Sequence, residues 1–393
     1  MNNISKFSDC YGCGVCASVC PKNVIFLSLN KEGFYVPTIY EQDCTECGLC
    51  LSVCAYAYEE VAATDSFDVK SYAVWSTDSK VRQMCSSGGV GFELGRHLLK
   101  YGYKVCGVRY NPEYNRAEHY IASTLEELMP SIGSKYIQSY TLDGFRQVNL
   151  RRNYLITGTP CQIDSFRRYI KKYRVEDNFV LMDFFCHGVP SMLMWNKYLK
   201  KVEKIIGKVC YVSWRNKFTG WHDWSMTVDG DIHGEKVDWH QSYNFLIRGE
   251  KNFYNSRLSQ GDLFYRMFLS NTCLGKACYD KCKYKYLGSA ADIRIGDLWG
   301  KEYKDNEDGV SSVLTLTQKG DDLLKAIDTL SLKEHSLNIV TAGQMKKRVS
   351  RSILYPIVRK MLKSDCSIDA FKSILFIRNV IVYSKLLIRK LKR

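Results

Sequence analysis

Short apolar runs alternate with helix-spaced apolar positions through residues 72–186. YAVWS (72–76), KVCGVRY (104–110), NYLITGT (153–159) and FVLMDFFC (179–186) have the length and apolar content of strands. GFELGRHLLKYG (91–102), TLEELMP (124–130) and PCQIDSFRRYIKKY (160–173) carry apolar residues at helical spacing. Such alternation predicts an α/β domain with a mostly parallel sheet, assigned to residues 72–345. Ahead of it, residues 23–40 read as a hairpin: VIFLSL, a KEG turn, then FYVPTIY. Behind it, residues 371–393 predict an amphipathic helix. Arg378, Lys385, Arg389 and Lys392 form its basic stripe, and Ile374, Ile377, Ile381 and Ile388 its apolar face. Three units follow: 1–65, 72–345 and a basic helical tail, 346–393.

Composition removes several classes. The chain has 393 residues, 46% hydrophobic and 25% charged, which excludes a disordered or collagen-like polymer. The first residues lack the apolar core of an export signal, and no run of about 18 uncharged apolar residues suits a membrane span. The expectation is a cytoplasmic protein. The net charge of +15 at first suggests nucleic-acid binding. However, residues 344–393 hold 14 basic and 2 acidic residues, so the rest is nearly neutral. The excess is a basic tail, and no nucleic-acid reading motif accompanies it. The tail helix suits an anionic membrane surface at the inner face of the cell membrane, or a partner protein. The other reading is a terminal helix docked on its own domain. Arg378 disfavours a span.

Seventeen cysteines without an export signal argue for thiolates spent on metal rather than disulfides. Cys10, Cys13, Cys16 and Cys20 precede Pro21. Cys44, Cys47, Cys50 and Cys54 repeat the same C-x2-C-x2-C-x3-C spacing, but Ala55 follows them. This is the spacing of a two-cluster bacterial ferredoxin, in which each block's fourth cysteine ligates the other block's cluster. The first [4Fe-4S] cluster is therefore assigned to Cys10, Cys13, Cys16 and Cys54, and the second to Cys44, Cys47, Cys50 and Cys20. Gly12, Gly14 and Gly48 permit the tight loops. Zinc is the alternative, and eight cysteines in two complete blocks disfavour it. Two all-cysteine clusters leave no open iron for substrate, so their role is electron relay.

Further candidates lie at strand-to-helix junctions, where open α/β sheets collect ligands. No G-x-G-x-x-G follows a strand, so a Rossmann unit is not supported. Cys85-Ser86-Ser87-Gly88-Gly89 offers hydroxyls and a helix start to an anion, or is simply a Ser/Gly helix start. Cys161 and Cys186 each end a strand-like run, as ligands or as small buried residues. Cys273, Cys278 and Cys282 sit among lysines and offer three more thiolates. His187 is either a proton donor or a structural histidine. Asp297 and Trp299 shape a site or form an Asp-capped turn. Lys135 and Arg215 suit an acidic substrate or a cofactor phosphate, unless they are ordinary surface charges.

With these residues in view, the chain resembles the coenzyme F420 hydrogenase/dehydrogenase beta-subunit family. The resemblance rests on the blocks at 10–54, SSGG at 86–89, GSKYIQS at 133–139, GTPCQI at 158–163, CHGVPS at 186–191, VSWRNKFTGW at 212–221 and ADIRIGDLWG at 291–300. It is similar to the bacterial branch found beside polysaccharide-biosynthesis and pyruvyl-transferase genes. The resemblance implies an iron–sulfur flavoprotein, with FAD between ferredoxin-type clusters and a two-electron acceptor. It places Ser87, Gly88 and Gly89 near the flavin phosphates. Ser134, Lys135, Tyr136, Thr159, Pro160, Cys161 and Gln162 line the same pocket. It also implies a third [4Fe-4S] cluster from Cys161, Cys186, Cys278 and Cys282, with Cys273 as a fifth contender. The pair Cys278-x3-Cys282 departs from the family's usual C-x2-C.

The expected function is an oxidoreductase taking electrons from a ferredoxin-like donor and reducing a small or sugar-linked substrate. Two alternatives stand beside it: an electron-transfer subunit of a larger redox complex, and a non-catalytic iron–sulfur scaffold at the membrane.

Overall fold

The computed structural model describes residues 2–230 and 253–391, with side chains for 2–230 and 254–384. Of the tail positions singled out above, Lys385, Ile388, Arg389 and Lys392 lie outside the described side chains. The N-terminal module carries the expected hairpin, β1 (Ile25–Leu29) paired antiparallel with β2 (Tyr35–Ile39). Four-residue helices, Val15–Ser18 and Leu49–Ser52, follow the two cysteine loops. Each is entered through a left-handed glycine, Gly14 at φ 76° and Gly48 at φ 74°. At Gly14 a Cβ would meet Thr141 Oγ1 at 2.0 Å, so close packing demands glycine as firmly as the turn does.

The body opens with β3 (Lys70–Ser76), β4 (Lys104–Asn111), β5 (Arg116–Ala122), β6 (Ser139–Tyr140), β7 (Tyr154–Thr157) and β8 (Phe179–Phe184). Then β9 (Val209–Asn216), β10 (Ser225–Gly230) and β11 (Phe253–Arg257) make a separate antiparallel sheet. The chain returns through β12 (Ile293–Asp297), β13 (Ser311–Thr315) and β14 (Leu330–Glu334). The nine-stranded sheet runs β14-β3-β13-β12-β8-β7-β4-β5-β6. Its middle, β12-β8-β7-β4, is parallel, as the strand–helix alternation predicts. Antiparallel pairings join it to β13 and β5; beyond them β3 is antiparallel to both neighbours, whereas the edge strand β6 runs parallel to β5.

Successive residues of the middle strands point to opposite faces, and both faces are covered. Val105, Leu155, Val180 and Val313 pack with Phe92, Leu94 and Leu98 of the helix Val90–Lys100. Cys106, Ile156, Leu181 and Leu314 pack with Ile163, Phe166 and Ile170 of the helix Pro160–Tyr173. The second helix begins where the sequence places it. Thr159 and Gln162 form a reciprocal capping box, and Pro160 occupies the first turn.

A third core joins the helix Met192–Ile206 to β9 and β10 around Trp195, Trp214 and Phe264. Residues of the basic tail enter it: Leu354, Val358, Leu362, Phe371, Ile374 and Leu375. The tail's face is therefore not the one the isoleucines outline. Ile374 is buried and Ile381 packs against the core, whereas Ile377 on the same helix is exposed.

Candidate metal centre

The ferredoxin-type loops bring their sulfurs together in two separate cavities. Cys10, Cys13, Cys16 and Cys54 line one, closed by Ile4, Tyr11, Pro37 and Tyr56. Cys20, Cys44, Cys47 and Cys50 line the other, beside Asn2, Asn3, Pro21 and Leu49. Each block thus sends its fourth cysteine to the other block's cavity, carried there by the short helix after the loop. Among the described residues no three His, Cys, Asp or Glu side chains close on one point as a mononuclear site requires. The quartets ring a space instead.

The donor set fits an iron–sulfur cluster. Desolvation pushes the Cys10 and Cys54 thiols up to about 12 and Cys16 well above its ordinary value. Empty of metal, such sulfurs hold their protons; iron supplies the positive charge that lets them ionise. Backbone N–H groups already aim at several of them: Gly12 at Cys10, Val15 at Cys13, Ile4 and Leu51 at Cys50, and Tyr56 and Ala57 at Cys54. Hydrogen bonds to ligand sulfur are a main control on cluster potential.

The body reaches into the first cavity through one face of the helix Pro160–Tyr173. Cys161, Asp164, Ser165 and Arg168 fall at i, i+3, i+4 and i+7 on it. Ser165 Oγ accepts from Ala55 N–H at 3.0 Å and lies 3.2 Å from Cys13 Sγ. The departure from proline at Ala55 thereby gains a purpose, because proline has no N–H to offer. With Cys13 a thiolate, the only proton left in the contact is that of Ser165, which donates to the ligand sulfur. We expect Ser165→Ala to keep its iron but to lower the potential of one cluster, read by a redox titration followed by electron paramagnetic resonance. An unchanged potential would remove Ser165 from this role.

Asp164 is fully buried one position away. It accepts from Ala62 N–H at 2.9 Å and from the Tyr284 hydroxyl at 2.7 Å, and pairs with Arg168 and Lys283. Lys283 also donates to the carbonyls of Ala55, Tyr58 and Glu60. The Tyr11 hydroxyl donates to Lys281 O at 2.5 Å, and Thr141 to Cys13 O at 3.0 Å. The dicluster module is latched to the body at the first cavity. Sequence reasoning missed Asp164, Ser165 and Tyr284, and read Lys283 only as one of the lysines around Cys278 and Cys282. The available signal was a polar face on an otherwise well-buried helix, one residue beyond GTPCQI.

A second gathering of cysteines lies at the carboxyl edge of the parallel strands. Cys161 opens the helix after β7, and Cys186 follows β8. The bridge Pro190–Leu274 brings in the helix Lys276–Asp280, which carries Cys278, with Cys282 just beyond it. Cys186 and Cys278 lie within electrostatic reach of Cys161, and Cys282 within reach of Cys186 and Cys278. After burial, Cys186 and Cys278 are what raise the Cys161 thiol among this group. Cys282 helps to raise both Cys186 and Cys278, the latter to about 12. Gly188 N–H serves Cys186 and Val189 N–H serves Cys278. Cys161 is also near Cys13, so this group neighbours the first cavity. Cys273 stands apart: its sulfur sits 3.5 Å from Met194 Sδ in the Trp195 core.

The residues singled out for a cofactor pocket adjoin one another in pairs. Ser134 N–H donates to Ser86 Oγ at 2.9 Å, joining GSKY to SSGG. Gln162 Nε2 donates to Ser139 Oγ at 3.0 Å, joining GTPCQ to the end of the same segment. Ser87 donates to Val310 O, and Gly88 packs so closely on Val74 O that a Cβ would lie 2.3 Å from it. Gly89 caps the following helix at φ 89°. Lys135 Nζ lies within hydrogen-bonding distance of the carbonyls of Pro130, Ser131, Ile132 and Gly133, whose oxygens share its protons, and burial lowers its pKa to about 7. Its amine is thus spent holding the loop. Tyr136 stacks on Phe268 at 5.6 Å. Arg215 is buried between the Trp224 and Trp299 rings, 3.4 Å from Asp297 Oδ2. His187 Nε2 lies 2.7 Å from Asn271 Oδ1, and burial lowers its pKa, so its neutral form prevails at neutral pH.

Residues 151–338 match the family model that describes the C terminus of the coenzyme F420 hydrogenase/dehydrogenase beta subunit. Residues 9–58 match the model of a 4Fe-4S dicluster domain. Among solved structures, the chain is similar to one of the F420-reducing [NiFe] hydrogenase complex from Methanosarcina barkeri, studied by xenon derivatization. The identity is 16%, the match covers 79% of this chain and 89% of that one, and the TM-score is 0.44. No curated protein matches this chain.

Proposed function

We propose that this chain is an iron–sulfur oxidoreductase of the F420 hydrogenase/dehydrogenase beta-subunit kind. The observation that carries the reading is the exchange of Cys20 and Cys54 between the two cysteine-lined cavities. Iron–sulfur clusters store and release single electrons, and a flavin, when bound, converts them to two-electron chemistry. Cys47 is exposed, so the second cavity is where a ferredoxin-like donor meets the chain. Tyr11 and Tyr56 close the first cavity, and the latch at Asp164 and Ser165 holds it against the body.

Cys161, Cys186, Cys278 and Cys282 hold a third cluster beside it. Two of the four, Cys161 and Cys186, follow β7 and β8 at the carboxyl edge of the parallel strands, which supports this reading. The joined SSGG, GSKY and GTPCQ segments supply the FAD pocket. A small or sugar-linked substrate, of the kind handled in polysaccharide biosynthesis, is the acceptor. His187, neutral and half-buried, is suited to orienting the Asn271 turn more than to giving up a proton.

Anaerobic purification with iron, sulfide and flavin analysis on one sample tests the reading. The expected result is about twelve irons and about one flavin per chain. Irons without flavin, even after reconstitution with FAD and FMN, would leave an electron-transfer subunit instead. Redox-silent iron would leave the scaffold reading.

A further inference from the structure

The helix Phe371–Leu391 docks by one stripe and leaves another bare. Phe371, Ile374 and Leu375 are buried in the Trp195 core, and Ile381 packs at its margin. These positions recur at i, i+3, i+4 and i+10, one side of a helix. The opposite side carries Phe376, Val380 and Tyr383 at i, i+4 and i+7, which are 69%, 49% and 67% exposed. Ile377 flanks them at 45%. A helix that has already buried one apolar stripe has no folding reason to keep a second in water.

Charge decides what the second stripe fits. Residues 385–393, KLLIRKLKR, continue the chain with five basic residues and no acidic one. Another copy of this chain would bring the same excess, +12 over its last fifty residues, against it. An anionic bilayer offers apolar depth for the aromatic stripe and negative headgroups for the lysines and arginines. None of the described helices is long and apolar enough to cross a membrane, so the helix lies along the surface. We propose that Phe376, Val380 and Tyr383 form a docking surface for an anionic lipid bilayer, to which the basic sequence that follows draws the chain. The body then hangs from the membrane by the docked stripe of the same helix. This proposal does not depend on the redox reading.

Co-sedimentation of the full chain with vesicles tests it. The expected result is binding to phosphatidylglycerol–phosphatidylcholine vesicles, loss of that binding at high salt, and none to phosphatidylcholine alone. Phe376→Glu with Tyr383→Glu is expected to weaken binding at least tenfold. Both residues are exposed, so the melting temperature should hold. Should that pair fail to fold, Lys390→Glu with Lys392→Glu tests the charge alone, with the same expectation. No sedimentation with anionic vesicles, equal binding to neutral ones, or unaffected variants would overturn the proposal. So would a variant pair that changes only the oligomeric mass without lipid, since a second copy would then be the occupant.

Discussion

Replacing Arg294 with methionine is expected to cost about 3–5 kcal/mol of stability, the range for breaking a buried ion pair from one side. Arg294 and Asp183 face each other across the parallel strands β12 and β8, and both side chains are fully buried. The guanidinium holds both carboxylate oxygens at 2.7 Å. Its remaining protons go to the carbonyls of Tyr284, Tyr286 and Gly288. One side chain therefore ties two strands to the loop that follows Cys282. Methionine fills the volume but leaves Asp183 charged and buried, with Ser289 as its one remaining side-chain donor among the described residues. Denaturant unfolding of the single variant, compared with Asp183→Leu/Arg294→Met, reads the effect. The double variant should recover much of the loss, because no charge is then stranded. A single variant as stable as the parent would show that the pair does not hold the fold.

Cys186→Ser is expected to lose about four irons per chain while the signals of the two N-terminal clusters persist. Its contrast is Cys273→Ser. The Cys273 sulfur lies 3.5 Å from Met194 Sδ and 3.6 Å from the Met267 carbonyl oxygen, too far for the shorter serine hydroxyl to bond well, in an otherwise apolar core. The serine hydroxyl there should cost about 1–3 kcal/mol, with iron unchanged. Parallel iron analysis and thermal melts on the two variants separate the effects. Iron lost from Cys273→Ser and retained by Cys186→Ser would overturn the third ligand set.

The motifs that suggest chemistry in the sequence divide once their partners are seen. In ADIRIGDLWG, Asp292 accepts from Arg167 at 2.8 Å, from Thr317 at 2.9 Å and from Leu181 N–H at 2.7 Å. Arg294 is taken by Asp183. The charged part of that motif is scaffold, and only its Asp297–Trp299 end approaches Arg215. Lys217, inside VSWRNKFTGW, likewise donates to the carbonyls of Arg82, Ser87 and Asp308, and burial lowers its pKa to about 8. A buried lysine pinning carbonyls and one binding an anion look alike in sequence, because both need only a charge near a loop.

By itself the sequence determined what is set within a few residues. The two cysteine blocks, the positive-φ glycines beside them, the hairpin between them and the capped helix Pro160–Tyr173 are all local, and each appears where its spacing puts it. The parallel middle of the sheet follows from strand–helix alternation, which is nearly local. Tertiary structure decided whatever needs a partner far along the chain. It separated Cys273 from the other four thiols, because the Pro190–Leu274 bridge sets Cys278 beside Cys186 while Cys273 turns into the core. It gave Ser165 its contact with Cys13, 152 residues away. It also chose which stripe of the last helix is buried. Several apolar stripes exist on that helix, and only the shape of the surface beneath it selects one.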